Sequence, residues 1–279
     1  MPISKSSLFG LFVSALALRA KADDVPYNNY PEKFTGLNVL DGPYGGASFG
    51  LQDIPGASYT APTKRPLGTL PQKCYERTGS DTCSPENMEV YEVNYNDCNE
   101  PAIICRCTNA GTSLTTLTER ISRIPVKARQ LISHWTAFPG DGCGGIYYAN
   151  GVVGLFGTCT AQSVYFHEVG HAMDQYVAGA NTGYFWYSDS PDWRNKIASD
   201  SCVPDSYAKA GYIEAYAQSA VMSAYHANVQ NIWSLDVGCM AGQMATVNEQ
   251  LIDKGQQVFK YRAGATCDLP SPSGYVVLH

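Results

Sequence analysis

Residues 164–171 read Val-Tyr-Phe-His-Glu-Val-Gly-His, an H-E-x-x-H pattern at His167, Glu168 and His171. Histidines four residues apart lie one above the other on a single face of an α-helix. Two imidazoles at that spacing can grip one zinc ion. Glu168 is turned by roughly 100° from His167. Its carboxylate can there reach a metal-bound water without ligating the metal, the place of a general base in metal-assisted hydrolysis. From Thr158 to Ala172 the only acid, lysine or arginine is Glu168 itself. A surface helix would carry solvating charges on its outer face, so this one is expected to be buried. Two buried histidines beside a buried glutamate need partners. A metal ion supplies one, and a self-satisfied His/Glu network in the core is the alternative.

A catalytic zinc set has three protein ligands and one open position. No third histidine follows at once, because position 177 is Val and position 174 is Asp. Asp189 and Asp192 are weak candidates on what reads as a loop. Glu214 is the stronger one, since it sits in an otherwise uncharged helical stretch, a costly place for an unpaired carboxylate. The plainer reading of Glu214 is a first-turn glutamate favoured by the helix dipole. Tyr207, two helical turns earlier, shares that face unless Gly211 breaks the helix. Asp174 is spaced to orient His167 or His171 through the other ring nitrogen, or else it is an ordinary helix-face acid. His134 and His226 read as single histidines with no special role.

Other elements must position these residues. Residues 23–72 are rich in Pro, Gly, Tyr and Asn and read as loops and short strands, an arm wrapping the core or in part a propeptide. Residues 90–95 alternate like a strand, and Cys105 and Cys107 would share one sheet face. Residues 126–135 place Val126, Ala128, Leu131, Ile132 and Trp135 on a helical face. Residues 146–149 and 152–156 read as two strands joined at Asn150-Gly151, a hairpin signal. That hairpin either lines the cleft with an edge strand, where an extended peptide can add, or is plain sheet core. The motif helix is expected over residues 160–177, a long loop over 180–206, and helices over 211–229 and 237–253, the last with Met240, Met244, Val247 and Leu251 at core spacing. The class is α+β: a small mixed sheet with an edge hairpin, the H-E-x-x-H helix and a helical C-terminal lobe, behind a Cys-rich N-terminal region.

The chain has 279 residues and a formal charge of -6. Residues 1–22 read as a signal peptide, with Lys5, an apolar stretch from Leu8 to Leu18, and cleavage after Ala22 or Ala17. Removing Lys5, Arg19 and Lys21 takes the charge from -6 to about -9, which argues against nucleic acid and anionic membrane as partners. All 10 cysteines follow the signal peptide, and an even count in that setting reads as disulfides. Five precede residue 110 and five follow it, so full pairing requires at least one bridge across that line. The expected division is signal peptide 1–22, N-terminal region 23–115 and a domain over 116–279.

The stretch His167-Glu168-Val169-Gly170-His171-Ala172-Met173-Asp174 resembles the zinc helix of the gluzincins, most closely the anthrax-lethal-factor-like metalloproteases, written His-Glu-aromatic-Gly-His-Ala-Val-Asp. The metzincin pattern and the Gly-Thr-x-Asp of the aspzincins are absent. The next signature of those proteases is Ser-Tyr, six residues, then Glu-aromatic-aromatic-Ala-Glu. Ser206-Tyr207 and Glu214-Ala215-Tyr216-Ala217-Gln218 are similar to it, with Ala215 in place of an aromatic and Gln218 in place of an acid that tunes the ligands. This resemblance covers about residues 124–230. The whole chain also resembles a secreted fungal family named after a conidiation-specific protein, on residues 165–174 and the segment from Asp200 to Met240. The protease resemblance implies a zincin-like metallopeptidase fold holding one Zn2+ on His167, His171 and Glu214. It implies Glu168 as general base, Tyr207 as oxyanion donor, and Asp174 and Gln218 as groups behind the ligands. The expectation is therefore a secreted monomeric zinc metalloendopeptidase, extracellular or in the cell wall, acting on a peptide or protein substrate. The alternative is a non-catalytic secreted or spore-surface binding protein that retains a structural zinc fold.

Overall fold

A computed structural model describes residues 26–79, 82–180, 182–253, 257–267 and 274–277. The expected signal peptide and its cleavage sites lie outside the described residues. Strands β1 (Thr63–Lys64) and β2 (Thr69–Pro71) lead to a short helix α1 (Gln72–Tyr75), then β3 (Met88–Val93) and β4 (Ala102–Cys107). Helices α2 (Leu114–Ser122) and α3 (Val126–Arg129) cross to β5 (His134–Phe138), followed by β6 (Cys143–Tyr147) and β7 (Val152–Gly157). The second half holds α4 (Gln162–Met173), α5 (Pro191–Ser199), α6 (Tyr212–Asn228), α7 (Ala241–Asn248) and β8 (Tyr275–Val277).

Six strands form one mixed sheet in the order β1-β3-β4-β5-β7-β6, and β2 pairs with β8 in a separate ribbon. The β4–β5 and β5–β7 pairs are parallel and the others antiparallel. The chain turns from β6 to β7 through Ala149, Asn150 and Gly151, all at positive φ. Such backbone suits Asn and Gly and reverses the chain tightly. The return strand β7 inserts between β5 and β6, which leaves β6 on the outer edge.

The helix expected over residues 126–135 is corrected. Only Val126–Arg129 is helical, and His134–Phe138 is a strand with all five residues buried. A strand flanked on both sides by parallel neighbours is apolar on both faces, so its residues satisfy a helical pattern as well as a strand one. The loop expected over residues 180–206 is also corrected, because it contains α5. The Ser190 side chain accepts the Trp193 N–H and Pro191 opens the helix, a start signal that outweighs the polar composition of the segment. The expected helix over 237–253 is a short 3-10 turn, then α7, then a π-helical turn over Glu249–Asp253.

Cystines tie Cys74 to Cys105, Cys83 to Cys107, Cys98 to Cys267, Cys143 to Cys159 and Cys202 to Cys239. Cys105 and Cys107 do point to one face of β4, and both are buried. Cys98–Cys267 is the bridge that crosses residue 110, as parity required. The segment from residue 26 to β1 is an arm with two 3-10 turns, whose Leu37, Leu40, Leu51 and Ile54 are buried. It is held in part by the Lys33 N–H donating to the Val203 carbonyl, 2.9 Å. Its Asp41 also supplies the cap that α4 lacks. The N-cap residue Ala161 has no side-chain acceptor, and Asp41 takes the Ser163 N–H at 2.7 Å and the Ser163 hydroxyl at 3.1 Å.

Candidate metal centre

Helices α4 and α6 carry the centre. Eleven of the twelve α4 residues are buried, including His167, Glu168 and His171. On α6 a run of small residues, among them Ala215, Ala217 and Ala220, is buried. A Cβ on Gly170 would stand 3.1 Å from Ala217 Cα and from Ala220 Cβ. The glycine therefore lets the two helices approach more closely than a larger residue would. Glu214 lies in the first turn of α6, where the helix dipole favours an acid, and this approach brings it to the face of α4.

Three atoms converge there. His167 Nε2 and His171 Nε2 are 3.1 Å apart, and Glu214 Oε2 lies 3.1 Å from the first and 3.4 Å from the second. Glu214 Oε2 is buried without a hydrogen bond of its own. Zinc bonds of 2.0–2.1 Å in tetrahedral array would put ligand atoms roughly 3.3 Å apart. The spacing of the trio and its donor set fit such an ion, and it is the one metal-capable group of three among the described residues. Electrostatics agree. Burial alone pushes the His167 imidazole down, but the Glu214 and Glu168 carboxylates outweigh it and hold it up at about 9. Burial likewise pushes Glu214 up, and the two imidazoles facing it outweigh that and hold it well below the usual carboxylate range. The pocket is built to keep positive charge between these atoms, whether that charge is a proton or a metal ion.

Glu168 points under the edge strand. A Cβ on Gly145 of β6 would fall 2.1 Å from Glu168 Oε1, so a larger residue there would push the Glu168 carboxylate out of its place. Burial pushes the Glu168 carboxyl up. A cleft of about 320 Å³ opens beside these groups, walled by Leu37 and Asn38 of the arm, Gly144 and Gly145 of β6, and Tyr207.

Tyr207 is half exposed, with its ring 5.4 Å from that of His167. It does not share a helix face with Glu214. Gly211 ends a 3-10 turn over Tyr207–Ala210 before α6 begins, so its place is set by the loop. Gln218 stands behind His167, its Oε1 accepting from Nδ1 at 3.0 Å. Asp174 does not orient a histidine. Its carboxylate accepts the Ser188 N–H at 2.9 Å and the Ser188 hydroxyl at 2.5 Å, anchoring the loop after α4. Burial pushes Asp174 up to about 7 despite those bonds. Asp192 accepts the Tyr187 hydroxyl, His226 Nδ1 accepts the Ile232 N–H at 3.1 Å, and His134 is buried in β5, so these residues serve elsewhere. The sequence reading missed Asp41 and Asp205. The only signal for Asp205 is the Pro204-Asp205-Ser206 run, a turn composition.

The profile of a family described as Conidiation-specific protein Con-13 matches residues 32–271. The chain belongs to that family. The Neurospora crassa protein named Conidiation-specific protein 13 is 40% identical over 267 residues, which cover 95% of this chain and 74% of that one. No solved structure matches the chain. These findings correct the expectation of a zinc metalloendopeptidase. The family that spans the chain is named for conidiation, no peptidase appears in either description, and the non-catalytic alternative is the better backed. The gluzincin likeness is one of short motifs.

Proposed function

We propose that this conidiation-family protein is a secreted or spore-surface binding protein that holds one Zn2+ on His167, His171 and Glu214 without turnover. The observation that carries the reading is the convergence of three ligand atoms, 3.1–3.4 Å apart, from two buried helices. A zinc ion there ties α4 to α6 and so belongs to the fold. The edge hairpin, the H-E-x-x-H helix and the helical lobe support a zincin-like scaffold. The family name links the protein to conidiation, and the five cystines suit an oxidising, extracellular setting. The cleft beside the centre takes an extended polypeptide segment of a partner, which pairs with the free edge of β6. Glu168 and Tyr207 then offer that segment an acceptor and a donor.

The test uses the disulfide-intact chain from residue 23 onward. Metal analysis should return one zinc per chain, lost in His171→Ala and in Glu214→Ala. A peptide library incubated with the zinc-loaded protein and read by mass spectrometry should stay intact. Cleavage that disappears in Glu168→Gln would overturn the non-catalytic reading, and a wild-type chain that takes up no zinc would overturn the metal reading.

A further inference from the structure

We infer that Asp205 is a positioning residue of the metal centre. Through Gln218 it fixes which nitrogen of His167 faces the metal, and through the backbone it holds the turn that carries Tyr207. The inference rests on the reading of the trio as a zinc site.

Asp205 is 3% exposed and lies outside both site helices. Three N–H donors converge on its carboxylate: Gln218 Nε2 at 2.7 Å, the Tyr207 N–H at 3.1 Å and the Ala208 N–H at 3.2 Å. A carboxylate only accepts, so the end of the Gln218 amide that faces it is the NH2 group. The carbonyl end must then face His167 Nδ1, 3.0 Å away. A carbonyl also only accepts, so Nδ1 carries a proton and Nε2 is the nitrogen left to ligate. Asp205 thus sets the tautomer of His167 from two bonds away. Gln218 passes on that direction without adding a charge, which leaves Glu214 as the anionic ligand. The loop is itself pinned by the Cys202–Cys239 bridge and by Gln243, whose amide donates to the Cys202 carbonyl at 3.2 Å. One carboxylate therefore couples a metal ligand to the Tyr207 wall of the cleft.

The chemistry predicts an inversion in Asp205→Asn. The new side chain can still accept the backbone N–H groups but turns its own NH2 toward Gln218. Gln218 then rotates its carbonyl to meet that group and presents NH2 to His167 Nδ1, which must become an acceptor. The ring proton moves to Nε2, where it opposes ligation. Zinc affinity of the whole mature chain, measured by competition with a chelator, should fall about 10- to 100-fold. The double variant Asp205→Asn with Gln218→Glu puts an acceptor back against Nδ1 and should return to near wild-type affinity, which a merely structural role for Asp205 would not produce. Nitrogen NMR of the zinc-loaded wild type should show His167 protonated at Nδ1, a readout that needs no variant to fold. An unprotonated Nδ1, an Asp205→Asn protein that binds zinc like wild type, or a double variant as weak as the single one would each overturn the proposal. Wild type without zinc overturns the site reading and this inference together. Zinc-binding wild type with an indifferent Asp205→Asn overturns the inference alone.

Discussion

Two buried histidines, in the sheet and between the helices, meet opposite fates. His134 in β5 is fully buried and His167 on α4 is 7% exposed. Burial pushes both imidazoles down. At His134 the Lys73 charge adds to burial, and the ring sits at about 4. Lys73 reaches this region by donating to Ser133 Oγ at 3.1 Å, and Ser133 Oγ lies 2.9 Å from His134 Nδ1. At His167 the carboxylates of Glu214 and Glu168 win and hold the ring at about 9. The sheet has made a neutral packing residue and the helix pair a cation-holding one. The difference lies in which charged side chains stand beside each ring, since both rings are comparably buried.

The largest expected effect sharpens the sheet side of this contrast. A histidine that titrates at 6.5 unfolded and about 4 folded binds its proton more readily in the unfolded chain. Its contribution is complete above pH 6.5 and is lost as pH falls toward 4, about 3 kcal/mol in all. Denaturant melts across that range should show the loss, and His134→Phe should flatten it. A slope unchanged in the variant would mean that His134 is not the neutral core residue described.

The helix side should answer to metal. Zinc at a hundred times its dissociation constant should stabilise wild type by about 2.7 kcal/mol and do nothing for Glu214→Ala. Thermal melts with and without zinc decide this, and equal responses would remove Glu214 from the centre. Gly170→Val should cost about 2 kcal/mol by overpacking the contact of α4 with Ala217 and Ala220, and should weaken zinc binding because it parts the ligand-bearing helices. If stability falls and zinc affinity does not, the ligands are held by something other than that close approach. The smallest effect concerns the arm. Asp41→Ala removes the cap on α4 and should cost about 1 kcal/mol, with zinc stoichiometry unchanged. Loss of zinc in that variant would show that the arm, and not only the helix pair, sets the ligand geometry.

The sequence by itself determined the chemistry-bearing residues. His167, Glu168 and His171 were legible because a helix repeats every 3.6 residues, so spacing alone puts two imidazoles on one face. Glu214 stood out as an acid in an uncharged helix, the β6–β7 hairpin through Asn150-Gly151, and the bridge across residue 110 through cysteine parity. Tertiary structure decided the rest. It turned residues 134–138 from an apparent helix into a buried strand, because two parallel neighbours erase the alternation that marks a strand. It gave Asp174 to Ser188 rather than to a histidine, and gave Gln218 a carboxylate, Asp205, from a loop 13 residues away. It also placed Gly145 of an edge strand over Glu168. Local spacing fixes what one helix presents, whereas the partner of each buried polar group comes from whichever distant segment packs there, and that is settled only when the chain has folded.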